Sequence, residues 1–221
     1  MNPAVTDTPT SHLYASAPAA LPFDRSLEIR AFLLRRPHGN LLVYSAPTVP
    51  DDVEAIGDLG GISRQYLNHG HEAEFGCDRV AATFDASLIC HELDRPGAEA
   101  RCAIDETFAE RHHFGRDFEV IPTPGHTAGA TAFLWDGGRH RFLFTGDTIY
   151  LREGEWVAAV LESSDRGPYM ESLELIRTLD FDVLVPWAAT RGREYYAVTD
   201  RVDTERRIDA MLERLWRGAG R

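Results

Sequence analysis

The spacing of apolar positions predicts strands through most of the chain, with helical periodicity at intervals between them. Residues 28–36 and 41–46 are two β-rich runs, and Pro37-His38-Gly39-Asn40 between them predicts a turn joining antiparallel strands. A short helical stretch is expected from Pro50 to about Ile56, stopped by Gly60-Gly61 before a strand over residues 62–67. Residues 73–82 read as helical and 87–90 as a buried strand, so the middle of the chain has the strand, loop, helix, strand order of a layered α/β protein. The pattern in residues 91–116 assigns no element. A strand over residues 118–121 runs into Pro122-Thr123-Pro124-Gly125, where proline cannot donate to a sheet and the strand is expected to end. Residues 131–135 and 141–145 flank Asp136-Gly137-Gly138, a hairpin signal because Asp and Gly tolerate positive φ. Pro168 suits the first turn of a helix, and Tyr169, Leu173, Ile176 and Leu179 recur at helical spacing. A strand over residues 181–185 follows. Residues 202–216 then form an amphipathic helix with Ile208, Met211, Leu212, Leu215 and Trp216 expected on one packing face.

Composition narrows the classes. With 221 residues and 43% hydrophobic residues, the chain can bury one substantial core, and neither an internal repeat nor a linker divides it. The expected organisation is an N-terminal arm over residues 1–22, flexible or wrapping, followed by a single domain over residues 23–221. Lys and Arg number 23 against 35 Asp and Glu, a net charge of −12, and no basic stretch is interleaved with aromatics. No nucleic-acid partner is expected. The arm lacks the basic start and continuous apolar core of a secretory signal, and no run approaches the ~20 apolar residues of a membrane span. A soluble cytoplasmic protein without a membrane partner is the expectation. Cys77, Cys90 and Cys102 lack CxxC spacing, and their odd number predicts buried free thiols.

The candidate chemistry sits at strand ends. His69-Gly70-His71 follows an apolar strand, and in an extended backbone residues i and i+2 face the same side, so one metal could take both imidazoles. By itself an HxH pair is a weak signal. His126 in Thr-Pro-Gly-His-Thr and Asp147 in Thr-Gly-Asp-Thr follow other strands, so separate strand ends each deliver a possible ligand. Glu72 reads as a solvated loop charge. Glu74 is open to two readings, a general base beside the ion or a solvated charge. His112-His113 reads as exposed loop, and the Cys90-His91 pair is disfavoured as a nucleophilic couple because chain neighbours point apart.

In this order the elements resemble the metallo-β-lactamase superfamily over residues 28–190. The resemblance rests on the HxH, then Thr123-Pro124-Gly125-His126-Thr127, then Gly146-Asp147-Thr148, then a helix leading to a hydrophobic strand. It implies an α/β fold, a four-layer αββα sandwich with the site at one edge. The family's first motif is HxHxDH; Ala73 stands at its aspartate and Glu74 at its last histidine. The family's later Pro-Gly-His ligand is replaced by Pro186-Trp187-Ala188. Both departures remove ligands of a second ion. The resemblance therefore implies one divalent ion, zinc foremost and iron second, held by His69, His71, His126 and Asp147, with Asp147 and Glu74 as catalytic carboxylates. Trp187 either fills the vacated second-metal space or packs as ordinary core.

Three functions follow. A mononuclear hydrolase acting on a small molecule would use an ion with an open position to activate water. A mono-iron oxygenase, resembling persulfide dioxygenases, would use two histidines and a carboxylate. A catalytically inactive metal-binding or ligand-binding protein would keep the site without turnover. Residues 91–116 are expected to form part of the pocket wall.

Overall fold

The computed structural model describes residues 1–3 and 12–218. One sheet has seven strands in the order Asn2–Pro3, Leu13–Ala15, Phe32–Leu34, Leu41–Val43, Arg64–Tyr66, Ser87–His91 and Glu106–Phe108. From Leu41–Val43 onward its pairs are parallel. Parallel neighbours need crossovers, and the helices Val53–Asp58, Cys77–Thr83 and Arg95–Glu99 lie in those three connections.

The second sheet runs His112–Phe114, Phe118–Pro122, Thr131–Asp136, Arg141–Gly146, Val183–Pro186 and Ala197–Val198. Its first four strands form an antiparallel meander. Val183–Pro186 then returns parallel to Arg141–Gly146 after the helix Arg166–Thr178. Strands buried on both faces read as continuous apolar runs, and here successive residues serve different cores. Phe133, Trp135, Phe142 and Phe144 join a core shared with the first sheet, whereas Ala132, Leu134 and Leu143 join another with Tyr169, Leu173 and Ile176. Ile208, Met211 and Leu215 of the helix Arg201–Trp216 complete that second core. The layers are helix, sheet, sheet, helix, the expected αββα arrangement.

A third, five-stranded sheet, ordered Glu155–Val157, Tyr150–Arg152, Ala188–Thr190, Asp24–Ile29 and Ala19–Leu21, has no counterpart in the sequence reading. It explains why residues 28–36 are not one strand. Ile29 pairs with Ala188 in the third sheet and Phe32 pairs with Val43 in the first, so the chain changes sheets at Arg30-Ala31. Of the expected arm, residues 4–11 lie outside the described residues. Leu13–Ala15 and Ala19–Leu21 are sheet strands that bury Leu13, Ala15 and Leu21.

Two helix expectations also change. Residues 73–82 split into a 3-10 turn, Gly70–Phe75, and the helix Cys77–Thr83, separated by Gly76 at φ 66°. Trp216 does not pack: it is 80% exposed, while Ile208, Met211 and Leu215 are buried. Leu215 in the same last turn is buried, so the indole, one residue and about 100° further round the helix, is turned away from the packed face. Residues 91–116 form the short helix Arg95–Glu99 and the strands Glu106–Phe108 and His112–Phe114, so His112-His113 is strand and not loop. All three cysteines are buried free thiols, as expected. Among the described residues no helix is long and apolar enough to cross a membrane.

Candidate metal centre

The ends of three strands are bound together before any ligand is placed. Tyr44, itself at φ 70°, accepts a hydrogen bond at its hydroxyl from the Gly146 N–H at 2.7 Å and donates to the Val185 carbonyl at 2.8 Å. Gly146 must be glycine, since a Cβ there would fall 1.9 Å from the Asn68 side chain. Tyr169 donates its hydroxyl to the Thr148 carbonyl at 2.7 Å, and Ser172 donates to the Pro124 carbonyl at 2.8 Å. The helix Arg166–Thr178 therefore secures the loops that follow the strands Phe118–Pro122 and Arg141–Gly146. The same contact makes Gly125 obligatory: at φ 142°, its Cβ would lie 2.4 Å from the Tyr169 Cα.

Onto this frame the chain brings His69, His71 and His126 together. Their ring centroids are 5.1 Å apart for His69 and His71, 4.9 Å for His69 and His126, and 5.4 Å for His71 and His126. The three offer ligand nitrogens within 4.8 Å of one another. The route differs from the extended pair expected from the sequence: His69 is extended, but His71 already lies in the 3-10 turn, which swings its ring back toward His69. Asp147 joins them, with Oδ2 at 3.6 Å from His69 Nε2 and 3.5 Å from His126 Nε2.

Hydrogen bonds behind the rings set which nitrogen faces inward. His126 Nδ1 donates to the Ala159 carbonyl at 2.6 Å, and His69 Nδ1 donates to Asn68 Oδ1 at 2.9 Å with Glu72 Oε1 at 3.2 Å. The Nε2 atoms of His69 and His126 are left buried and without a hydrogen-bond partner. Such orphaned acceptors are costly, and a cation supplies what they lack. Burial, then the neighbouring imidazoles, hold His69 well below the ordinary histidine range; burial, then His126, lowers His71. Both are thereby biased toward the neutral form, the ligand form. Burial raises the Asp147 carboxyl, against the opposing pull of His126 and His71. A divalent cation fits this donor set.

Two glutamates part company. Glu72 is fully buried, which corrects its reading as a solvated charge. Its carboxylate accepts the backbone N–H groups of Ser45 at 2.9 Å and Asn68 at 3.0 Å, tying one strand end to the start of the histidine loop. Desolvation pushes its carboxyl well above the usual range. Glu74 is half exposed and pairs with Arg101 at 2.8 Å. Trp187 is buried, with its ring 5.2 Å from His69 and nearly perpendicular to it, and its indole N–H donates to the Ser45 carbonyl at 2.7 Å. His91 has both ring nitrogens occupied, by the Ala109 carbonyl at 3.1 Å and the Leu93 N–H at 3.2 Å, consistent with no nucleophilic role.

Sequence reasoning missed Asp94. Its buried carboxylate accepts from the Gly70 N–H at 2.8 Å, the Thr127 hydroxyl at 2.7 Å and the Gly129 N–H at 2.9 Å, so one side chain joins both histidine loops. An Asp two residues before Pro96 reads locally as a helix N-cap, and Asp94 occupies that position without its side chain capping the helix. A cavity of about 950 Å³ opens from His71, His126 and Asp147, with Glu74 and Trp187 on its wall. None of residues 91–116 lines it, contrary to expectation; that stretch acts from behind, through Asp94.

Residues 100–188 match the model of the metallo-β-lactamase superfamily, a span that holds His126, Asp147 and Trp187. A hydroxyacylglutathione hydrolase of Halorhodospira halophila is 36% identical over 59 residues, which is 25% of this chain and 22% of that protein. Among solved structures, a metallo-beta-lactamase from Pontibacter korlensis superposes with a TM-score of 0.69 at 15% identity, covering 93% of this chain and 97% of that one. TTHA1623, solved in a di-iron-bound form, superposes with a TM-score of 0.63 at 21% identity, covering 82% and 94%. Residues 100–188 thus resemble the metallo-β-lactamase superfamily and the described chain has the fold of a solved metallo-beta-lactamase, while of the HxHxDH motif only the first two histidines are present.

Proposed function

We propose that the chain is a metal-dependent hydrolase of a small molecule, working with one divalent ion, zinc foremost, held by His69, His71, His126 and Asp147. The observation that carries this reading is the pair of buried, unpartnered Nε2 atoms of His69 and His126 facing the Asp147 carboxylate. The substitutions at Ala73, Glu74 and Ala188 support a single ion, because those positions offer a second one no imidazole.

When bound, such an ion supplies Lewis acidity toward a carbonyl or phosphoryl oxygen and makes water acidic enough to react near neutral pH. The chain's own groups do the rest. Asn68 and the Ala159 carbonyl hold the imidazoles in the tautomer that points Nε2 inward. Asp147 Oδ2 is the carboxylate oxygen within reach of the centre and is the group placed to accept a proton there. Glu74, the other candidate base, has its carboxylate engaged by Arg101, so the proposal assigns it to the wall of the site. Trp187 covers the buried side of His69 and keeps water from approaching it from behind.

The test is metal content and turnover together. Purified protein should carry close to one zinc per chain, lose it on chelation and regain ester or phosphoester hydrolysis on zinc return. His126→Ala should fail to retain metal after dialysis, because the remaining ligands are too few. Full metal retention by that variant would refute the ligand assignment. A second reading has its own observation: Asp147 lies between two histidines, the pattern of two histidines and one carboxylate that suits ferrous iron. One iron per chain with oxygen uptake would favour an oxygenase. Protein empty of metal, with a melting temperature indifferent to chelator and to added ions, would favour an inactive family member.

A further inference from the structure

The cavity leading to the histidines has one continuous apolar stretch of wall, with charged side chains elsewhere along it. Leu21 and Leu27 line it from the third sheet, Val157 from that sheet's edge, and Met211 and Leu215 from the C-terminal helix, with Phe75 and Trp187 beside the histidines. Phe23 stands on its rim with 82% of its surface exposed, an apolar ring left in water at the mouth. Charged side chains on the walls already have partners. Arg152 pairs with Asp24 at 2.7 Å, Glu74 pairs with Arg101 at 2.8 Å, and Arg214 donates to the Trp156 carbonyl at 3.1 Å. Ligand pockets gain specificity from a few polar groups aimed into them. Among the lining groups, His71, His126 and Asp147 are those gathered at the candidate metal centre.

Resting on the hydrolase reading, we propose that the substrate is an ester or thioester whose acyl part is an unbranched hydrocarbon chain. The scissile carbonyl lies at the histidines and the chain runs along the wall formed by Val157, Met211 and Leu215. A cavity of about 950 Å³ is at the upper end of the ~300–1,000 Å³ typical of ligand pockets. An acetyl group would leave most of it unfilled. Along Val157, Met211 and Leu215 a sugar or a polyphosphate would meet hydrocarbon where it needs hydrogen-bond partners, and burying such groups unpaired is unfavourable. A hydrocarbon chain gains from each methylene removed from water. In the hydrolysis the acyl carbon forms a bond to water oxygen and breaks its bond to the leaving oxygen or sulfur. The leaving group departs with one proton from that water and the acid product keeps the other until it ionises.

The experiment uses zinc-loaded full-length protein with acetyl, butyryl, hexanoyl and octanoyl p-nitrophenyl esters. Octanoyl over acetyl preference in kcat/KM should be on the order of 100-fold, read mainly in KM, after correction for uncatalysed hydrolysis. Binding is measured independently of turnover, by tryptophan fluorescence and thermal shift with octanoate against acetate, octanoate binding more tightly. Val157→Asp, at a half-buried position on a sheet edge, should erase the chain-length preference, bringing octanoyl ester kcat/KM down to the level of the acetyl ester. Hydrolysis of every ester at equal kcat/KM, or octanoate binding no tighter than acetate, would overturn the assignment. Tight octanoate binding without hydrolysis of any ester would leave the acyl pocket standing and sink the hydrolase reading instead.

Discussion

Asp94→Ala gives the most direct test of how the proposed metal centre is held. The wild-type carboxylate accepts three hydrogen bonds, from Gly70, Thr127 and Gly129, at 2.7–2.9 Å, and its residue is only 8% exposed. Hydrogen bonds to a charged group contribute about 1.5–3 kcal/mol each, and a buried donor left without an acceptor costs about 1–3 kcal/mol. The three share one acceptor group and do not add. Water can reach the more open Gly70 and Thr127, whereas the buried Gly129 N–H is left without a partner. The expected loss is about 3–5 kcal/mol, which for a chain of this length lowers the melting temperature by roughly 6–20 °C. Because Gly70 lies between His69 and His71, and Thr127 follows His126, releasing them also loosens the ligand set. Metal affinity should fall about 10- to 100-fold, the usual range for lost outer-shell support. Calorimetry on metal-free protein reads the first effect and competition against a chromophoric chelator reads the second. Gly129→Ala is an independent perturbation of the same contact, since its Cβ would lie 2.7 Å from the Asp94 Cγ. A melting temperature within about 2 °C of wild type, with unchanged metal affinity in both variants, would refute the role given to Asp94.

Other outcomes follow from the same geometry. Glu72→Ala should destabilise the protein by about 2–4 kcal/mol, because the buried Ser45 and Asn68 N–H groups lose their acceptor, and Glu72→Gln by less, since it keeps one oxygen. Equal denaturation midpoints for the two would contradict this. Glu74→Gln should change kcat less than threefold while Asp147→Asn abolishes turnover; similar losses in both would restore Glu74 as a catalytic base. Arg36 is buried and donates to Asp117 through Nε at 2.8 Å, and its hydrogen bond holds the Asp117 carboxyl below its ordinary value of 3.8. A carboxyl lowered on folding contributes stability that is present above its ordinary value and lost as pH falls below it. Asp117→Asn should therefore cost about 2 kcal/mol at pH 7, less than for a fully buried pair because Asp117 is a third exposed, and the cost should shrink below pH 4 in urea denaturation. A pH-independent difference would rule out the ion pair as its source.

Local pattern determined a good deal here. The hairpin of residues 131–146 is written in alternating apolar residues around Asp136-Gly137-Gly138, and the helix before Val183–Pro186 in its spacing of Tyr169, Leu173 and Ile176. His69, His71, His126 and Asp147 were legible for the same local reason: each stands just past an apolar run, where a strand must deliver it to a sheet edge. What only the tertiary structure decided depends on contacts distant in sequence. Residues 28–36 look like one strand because both halves are apolar, and only their pairing with Ala188 and Val43 separates them. Glu72 looks solvated in a run of His, Glu and Ala, yet lies buried because the backbone N–H groups of Ser45 and Asn68 converge on it. Asp94 looks like a helix cap, and its partners are 24 to 35 residues away. Trp216 stands at the border of the apolar stripe and is left exposed, while Leu215 beside it is buried. Periodicity reports which residues can be buried together. Which polar side chain then satisfies the buried backbone depends on where the strand ends meet, and that is a property of the assembled sheets.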